Sequence, residues 1–233
     1  ENPDRQIVFV GVGFETTTPL VAMAIKRARA MGLANFTVYG AHKNMPGALE
    51  VIINDPALKL DALILPGHVS TIIGAEPYRF LAEKYGIPGV ITGFEPVDVL
   101  QGIAMIMCQL HEGRAEIEIA YARGVMPEGN PVALAAIDEV FETCSATWRG
   151  LGEIPGSGYR IREEFADFDA MRRFQPDVEE VREHKGCRCG DVLRGIMAPS
   201  ECPLFRKVCT PENPVGPCMV SSEGSCAAYY RYY

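Results

Sequence analysis

Between residues 6 and 121 the chain repeats one pattern, a short run of β-branched and apolar residues followed by a longer segment with apolar positions at helical spacing. Few folds accept it, because strands joined through helices lie parallel and need cover on both faces. The run Ile7-Val8-Phe9-Val10-Gly11-Val12 lacks polar alternation and predicts a strand buried on both sides. Runs at 36–39, 61–65 and 89–92 predict further strands, and helices are expected over 19–31, 45–54, 77–85 and 96–111. Thr18 is the expected N-cap of the first helix, Pro19 suits its first position and Gly32 its stop. The expected fold class is α/β, an open, mostly parallel sheet with flanking helices. Further along, residues 116–123 alternate like a strand and 131–144 read as helix. Residues 151–158, punctuated by glycine and proline, read as loop, and 167–185 as a charged, partly helical connection.

Cysteine divides the chain. Only Cys108 and Cys144 precede residue 187, whereas six cysteines crowd between Cys187 and Cys226. The expected division is an α/β domain over 1–166 and, over 167–233, the charged connection with a small cysteine-rich domain. A disulfide scaffold of the secreted kind would spread its cysteines through a core-poor chain, so the cluster belongs to a local site. With 22 Lys and Arg against 30 Asp and Glu, the formal net charge of −8 argues against nucleic acid or an anionic membrane as partner. No apolar run approaches the roughly 18–20 residues of a membrane helix, and Glu1-Asn2-Pro3-Asp4 lacks the features of a signal peptide, so a soluble, cytoplasmic chain is expected. The first strand begins so close to Glu1 that the beginning of a longer protein is expected to be missing.

Three strand ends open into loops where such sheets bind ligands: 11–19, 66–74 and 92–98. They are expected to face one another. Gly-Phe-Glu occurs in two of them, which would place Glu15 and Glu95 as paired carboxylates across a cleft. The alternative is that each glycine permits a tight turn while the Phe fills the core and the Glu caps a helix or meets solvent. His68, directly after a strand, is placed like a general acid/base or a partner-contact residue. His42, His111 and His184 read as surface or locally hydrogen-bonded residues, and Cys108 and Cys144 as core or half-buried thiols. Gly11 and Gly13 imitate a dinucleotide fingerprint, but Thr16 replaces its third glycine and His42-Lys43 stand where an acid should end the second strand, which argues against NAD.

One, twelve, six, eight and seven residues separate the clustered cysteines. The Cys-x-x-Cys knuckles of zinc ribbons are absent, and three disulfides do not suit a cytoplasmic chain. A cubane iron–sulfur cluster needs four thiolates from a compact, loop-rich fold, which leaves two cysteines for a dithiol/disulfide beside it. Spacing alone does not say which four bind.

Gly13-Phe14-Glu15-Thr16-Thr17-Thr18-Pro19, Gly67-His68-Val69-Ser70, Gly93-Phe94-Glu95-Pro96 and the segment from Cys187-Arg188-Cys189-Gly190-Asp191 to Cys226, in that order, resemble the hydrogenase maturation factor HypD family over essentially the whole chain. The resemblance implies a scaffold on which the iron of [NiFe] hydrogenases acquires its cyanide and carbonyl ligands, with the partners HypC and HypE. It implies a [4Fe-4S] cluster arranged much as in ferredoxin:thioredoxin reductase, held by Cys187, Cys202, Cys209 and Cys226, with Cys189 and Cys218 as the redox-active pair. Electrons would pass from the cluster to that pair and on to the strand-end cleft, where Glu15, His68 and Glu95 would serve catalysis or contact HypC. The family's Cys-Gly-Thr-His motif, which holds the substrate iron, and its Cys-x-x-Cys pair do not occur in these 233 residues. Two other classes compete: a stand-alone iron–sulfur thiol-disulfide reductase, and a structural metal domain used for docking.

Overall fold

The computed structural model describes residues 2–58, 60–177 and 184–233. The chain forms two compact units. The first comprises Glu1–Glu50, Leu60–Ala146 and Pro155–Pro176, the second Val51–Lys59, Thr147–Ile154 and Asp177–Tyr233. In chain order the elements are β1 (Ile7–Gly13), α1 (Thr18–Ala30), β2 (Phe36–His42), α2 (Met45–Ile53), β3 (Leu63–Pro66) and α3 (Gly67–Ile73). A 3-10 turn at Glu76–Tyr78, α4 (Arg79–Tyr85), β4 (Gly89–Thr92), α5 (Pro96–Glu112), β5 (Ile117–Ile119) and α6 (Pro131–Val140) follow. The hairpin strands β6 (Phe141–Trp148) and β7 (Gly152–Ile161), a 3-10 segment at Glu163–Phe168 and α7 (Ala170–Phe174) come next.

The expected strands form, but not one open sheet. β1 pairs in parallel with β2, from Ile7 opposite Phe36 to Gly13 opposite His42. β3, β4 and β5 make a separate parallel sheet in that order. Alternation of elements sets the number and sense of strands, but adjacency depends on which edges meet, and β2 is the sole sheet partner of β1 among the described residues. Ile7, Val8, Phe9, Val10 and Val12 are therefore exposed rather than buried on both faces.

Other departures have local causes. Thr17, not Thr18, is the residue before α1, and the Thr18 hydroxyl donates instead to the Phe14 carbonyl at 2.9 Å. Residues 67–73 form α3 rather than a loop. Val69, Ser70 and Ile73 are its buried turn-spaced face, and Gly74, at φ 75°, ends it. Helix α6 stops at Val140 instead of reaching Cys144, and residues 152–158, expected as loop, lie in β7. Thr143, Thr147 and Trp148 favour the strand that follows α6. A turn at residues 149–151 joins β6 to β7, so the two run antiparallel. An edge position there tolerates Pro155 and the glycines that made the segment look irregular. Asn130 caps α6, its side-chain oxygen accepting from the backbone N–H groups of Val132 and Ala133, both at 3.1 Å.

The main core joins α1 to α6 and the hairpin: Val21, Ala22, Ile25, Val38, Ala136, Ile137, Val140, Phe141, Ile161 and Phe165. Each large apolar side chain buried there stabilises by about 1.5–3 kcal/mol. The second unit contains α8 (Cys189–Leu193), α9 (Pro217–Val220) and α10 (Ser225–Tyr232), and is otherwise mostly turns. Of the charged connection expected over 167–185, residues 178–183 lie outside the described residues. No helix among the described residues is long and apolar enough to cross a membrane.

Candidate functional site

All six clustered cysteines meet in the core of the second unit, among Val192, Phe205, Met219 and Ala227. Five are buried and Cys187 is partly buried, and none is in a disulfide. Short elements bring them there. Cys189 opens α8, whose Asp191 holds Arg188 at 2.8 Å and Arg194 at 2.7 Å. Cys202 ends a 3-10 turn that begins at Pro199, and the Cys209 Sγ accepts the Val215 N–H at 3.4 Å. Pro217 starts α9 and so places Cys218. Gly224 lies so close to α9 that a Cβ there would stand 2.4 Å from the Cys218 carbonyl oxygen, and this approach carries Cys226 in beside Cys218. Phe205 closes one side, its ring 5.9 Å from those of Tyr229 and Tyr230, both edge-on.

Cys189, Cys218 and Cys226 form a contiguous run. The Cys218 thiol donates to the Cys226 sulfur at 3.0 Å. Cys218 is pushed up to about 12: its hydrogen bond with Cys189 is the largest influence and pulls downward, but the bond to Cys226, burial and the charge of Cys226 together outweigh it. Burial pushes the Cys187 thiol up; a backbone hydrogen bond at Cys189 opposes this, and the neighbouring sulfurs of Cys189, Cys202 and Cys209 add to it. Gly216 closes the site from its edge, since a Cβ there would lie 2.6 Å from Cys187 Sγ and 3.4 Å from Cys189 Cβ. A cavity of about 10 Å³, room for about one water, remains between Cys187, Cys189, Arg149 and His184.

Among the described residues no three His, Cys, Asp or Glu side chains are arranged to hold a single metal ion. The six thiols are soft donors gathered within a loop-rich unit, and they are the side chains there that could serve as ligands of a thiolate-bound centre.

The strand-end residues lie in the first unit and do not form one cleft. Glu15 is 1% exposed; its Oε1 accepts the Met45 N–H at 3.0 Å and its Oε2 has no partner. Glu95 is open to solvent and lies 3.4 Å from Arg123. The two carboxylates therefore do not face a common space: one is sealed, the other hydrated. His68 sits in the first turn of α3, exposed, with its ring 4.4 Å from that of Phe94. Phe94 is itself exposed, so the second Gly-Phe-Glu does not plug the core.

Three residues carry more than the sequence suggested. His42, expected at the surface or hydrogen-bonded, is 2% exposed with neither ring nitrogen paired, and burial holds its pKa down. Asp98 is buried and takes both arms of Arg123 at 2.7 and 2.6 Å, and the hydrogen bond from that guanidinium holds its carboxyl below the usual range. A Cβ on Gly93 would fall 2.0 Å from Asp98 Oδ2, so that glycine leaves room for the ion pair. Its position just before the helix beginning at Pro96 was the one available hint. Of the two lone cysteines, both expected as core or half-buried thiols, Cys108 is exposed on α5, whereas Cys144 is half-buried on β6.

The HypD family model, described as the hydrogenase formation hypA family, matches residues 1–233. The chain is 50% identical over 236 residues to a hydrogenase maturation factor HypD of Rhodobacter capsulatus, covering 99% of this chain and 63% of that protein. It is 48% identical over 238 residues to the hydrogenase maturation factor HypD of Cupriavidus necator, with 99% and 63% covered. It is likewise 48% identical over 238 residues to the hydrogenase expression/formation protein HupD of Azotobacter chroococcum, with 100% and 63% covered. The chain thus spans 63% of the length of these relatives. A match over all 233 residues, together with the sulfur core and the strand-end motifs it includes, makes the chain a member of the HypD family of hydrogenase maturation factors.

Proposed function

We propose that the chain provides the redox part of a scaffold on which the Fe(CN)2CO centre of [NiFe] hydrogenases is assembled, with HypC-type and HypE-type proteins as partners and the iron as substrate. Cys187, Cys202, Cys209 and Cys226 would hold a [4Fe-4S] cluster, and Cys189 and Cys218 would form the exchangeable pair. When bound, such a cluster supplies electrons one at a time. The observation that carries this reading is the run Cys189, Cys218, Cys226, in which two sulfurs hydrogen-bond to each other and the second also touches a proposed ligand. Converting a Cys189–Cys218 disulfide to the dithiol takes up two electrons and two protons. Burial of both thiols keeps water and soluble oxidants away from the exchange. His68 and Glu95, exposed on their strand-end segments, are available to a partner protein; sealed Glu15 is not.

Anaerobically prepared protein is expected to carry about four iron and four sulfide per chain, on the stoichiometry of the cluster, and to give an iron–sulfur paramagnetic resonance signal on reduction. One equivalent of zinc without sulfide would select a structural metal domain instead. Catalytic turnover of a small disulfide with an electron donor and no HypC would favour the stand-alone reductase.

A further inference from the structure

Glu15 is a buried carboxyl in the first unit with one oxygen left unpartnered. It leaves β1 through Gly13-Phe14, turns inward and presents Oε1 to the backbone N–H of Met45, the first residue of α2. No Lys, Arg or His among the described residues forms an ion pair with it, and Oε2 is buried without any partner. The groups that face it are the phenols of Tyr78, from the 3-10 turn, and Tyr159, from β7; burial raises both, and proximity to Glu15 adds to the shift. Tyr78 Oη is itself buried with no hydrogen-bond partner of good geometry, although Ser70 on α3 lies close enough to influence it. The end of β2 adds His42, whose ring is neutral by burial, and Lys43, whose N–H donates to the Gly13 carbonyl at 2.9 Å. An ionised carboxylate here would have only backbone N–H groups and no ion-pair partner against a large loss of hydration.

We propose that Glu15 is held as a neutral carboxylic acid near pH 7, its proton on Oε2, and acts as an uncharged strut joining the end of β1 to the start of α2. Burial drives its carboxyl upward; the hydrogen bonds from its own backbone N–H and that of Met45 pull the other way without offsetting it. A carboxyl sealed in this state can release its proton only when water or a ligand reaches Oε2. The inference rests on the first unit alone and is independent of the cluster assignment.

The test uses the whole chain with 13C-labelled glutamate. The side-chain carbonyl resonance of Glu15, identified by its loss in Glu15→Gln, is expected at the protonated-acid position at pH 7 and titrates above every other glutamate. A carboxylate position at pH 7 overturns the proposal. Stability gives a second readout, because Gln matches the neutral acid in shape and its amide oxygen can take the Met45 N–H. Unfolded Glu15 ionises near its ordinary value while the folded residue keeps its proton. Wild-type stability relative to Glu15→Gln is therefore intact below that value, and falls by up to about tenfold in folding constant per pH unit as pH rises toward the folded pKa. A difference that stays flat from pH 5 to 8 also sinks the idea. Should Glu15→Gln fail to fold, through-bond assignment of the wild-type resonance decides alone.

Discussion

Anaerobically reconstituted Cys202→Ala or Cys209→Ala is expected to lose the visible absorbance and acid-labile sulfide of the proposed cluster nearly completely, whereas Cys189→Ala keeps both and loses only reversible thiol exchange. The contrast follows from the proposed ligand assignment. Cys202 and Cys209 are buried, and their charges, like that of Cys189, raise the Cys187 thiol pKa. Cys189 and Cys218 share a hydrogen bond with each other, and in the proposed assignment removing one of them leaves a lone thiol and an intact ligand set. Full absorbance after loss of Cys202 or Cys209 would refute the ligand assignment. Loss of absorbance in Cys189→Ala, with Cys226→Ala spared, would mean that ligand and exchange roles had been interchanged along the Cys189, Cys218, Cys226 run. Circular dichroism of each variant separates cluster loss from unfolding.

Phe141→Ala is expected to destabilise the first unit by about 3–5 kcal/mol, the usual cost of emptying a buried aromatic site. Phe141 is 1% exposed at the corner where α6 becomes β6, with its ring edge-on to His42 at 6.1 Å and to Tyr159 at 6.3 Å. The Arg162 side chain also holds the Phe141 carbonyl at 3.0 Å, so the backbone is pinned and little relaxation into the cavity is available. Denaturant unfolding followed by far-ultraviolet dichroism measures the loss; a shift below about 1 kcal/mol would show that the corner collapses freely.

Why some of this was legible in the sequence and some was not comes down to range. Each strand from β1 to β5 could be placed because a short apolar run between turn residues is a local signal. Whether β1 lies beside β3 is not local, and the single sheet that seemed to follow is two. Phe141 and Cys144 fit the period of α6, but the threonines beyond them continue as a strand, and pairing with β7 decides the matter. In the sulfur core, crowding of cysteines announced a site while their spacing gave no partners; the contact of Cys218 with Cys226 depends on Gly224 meeting the backbone of α9. Glu15 and His42 are each only partly legible in the sequence. Chemistry at a strand end made Glu15 a candidate, but its seclusion comes from Tyr78 and Tyr159, which arrive from distant parts of the chain. His42 looked unremarkable because nothing in its neighbours along the chain reveals that its ring lies under Gly11.

That last placement ties two positions together in evolution. A methyl on Gly11 would sit 2.6 Å from the His42 ring carbon Cε1, so a larger residue at position 11 requires position 42 to give way. Homologues that carry a larger residue at the first position should carry a smaller one at the second, and the pair should vary as one inherited unit even though thirty residues of unrelated chain lie between them.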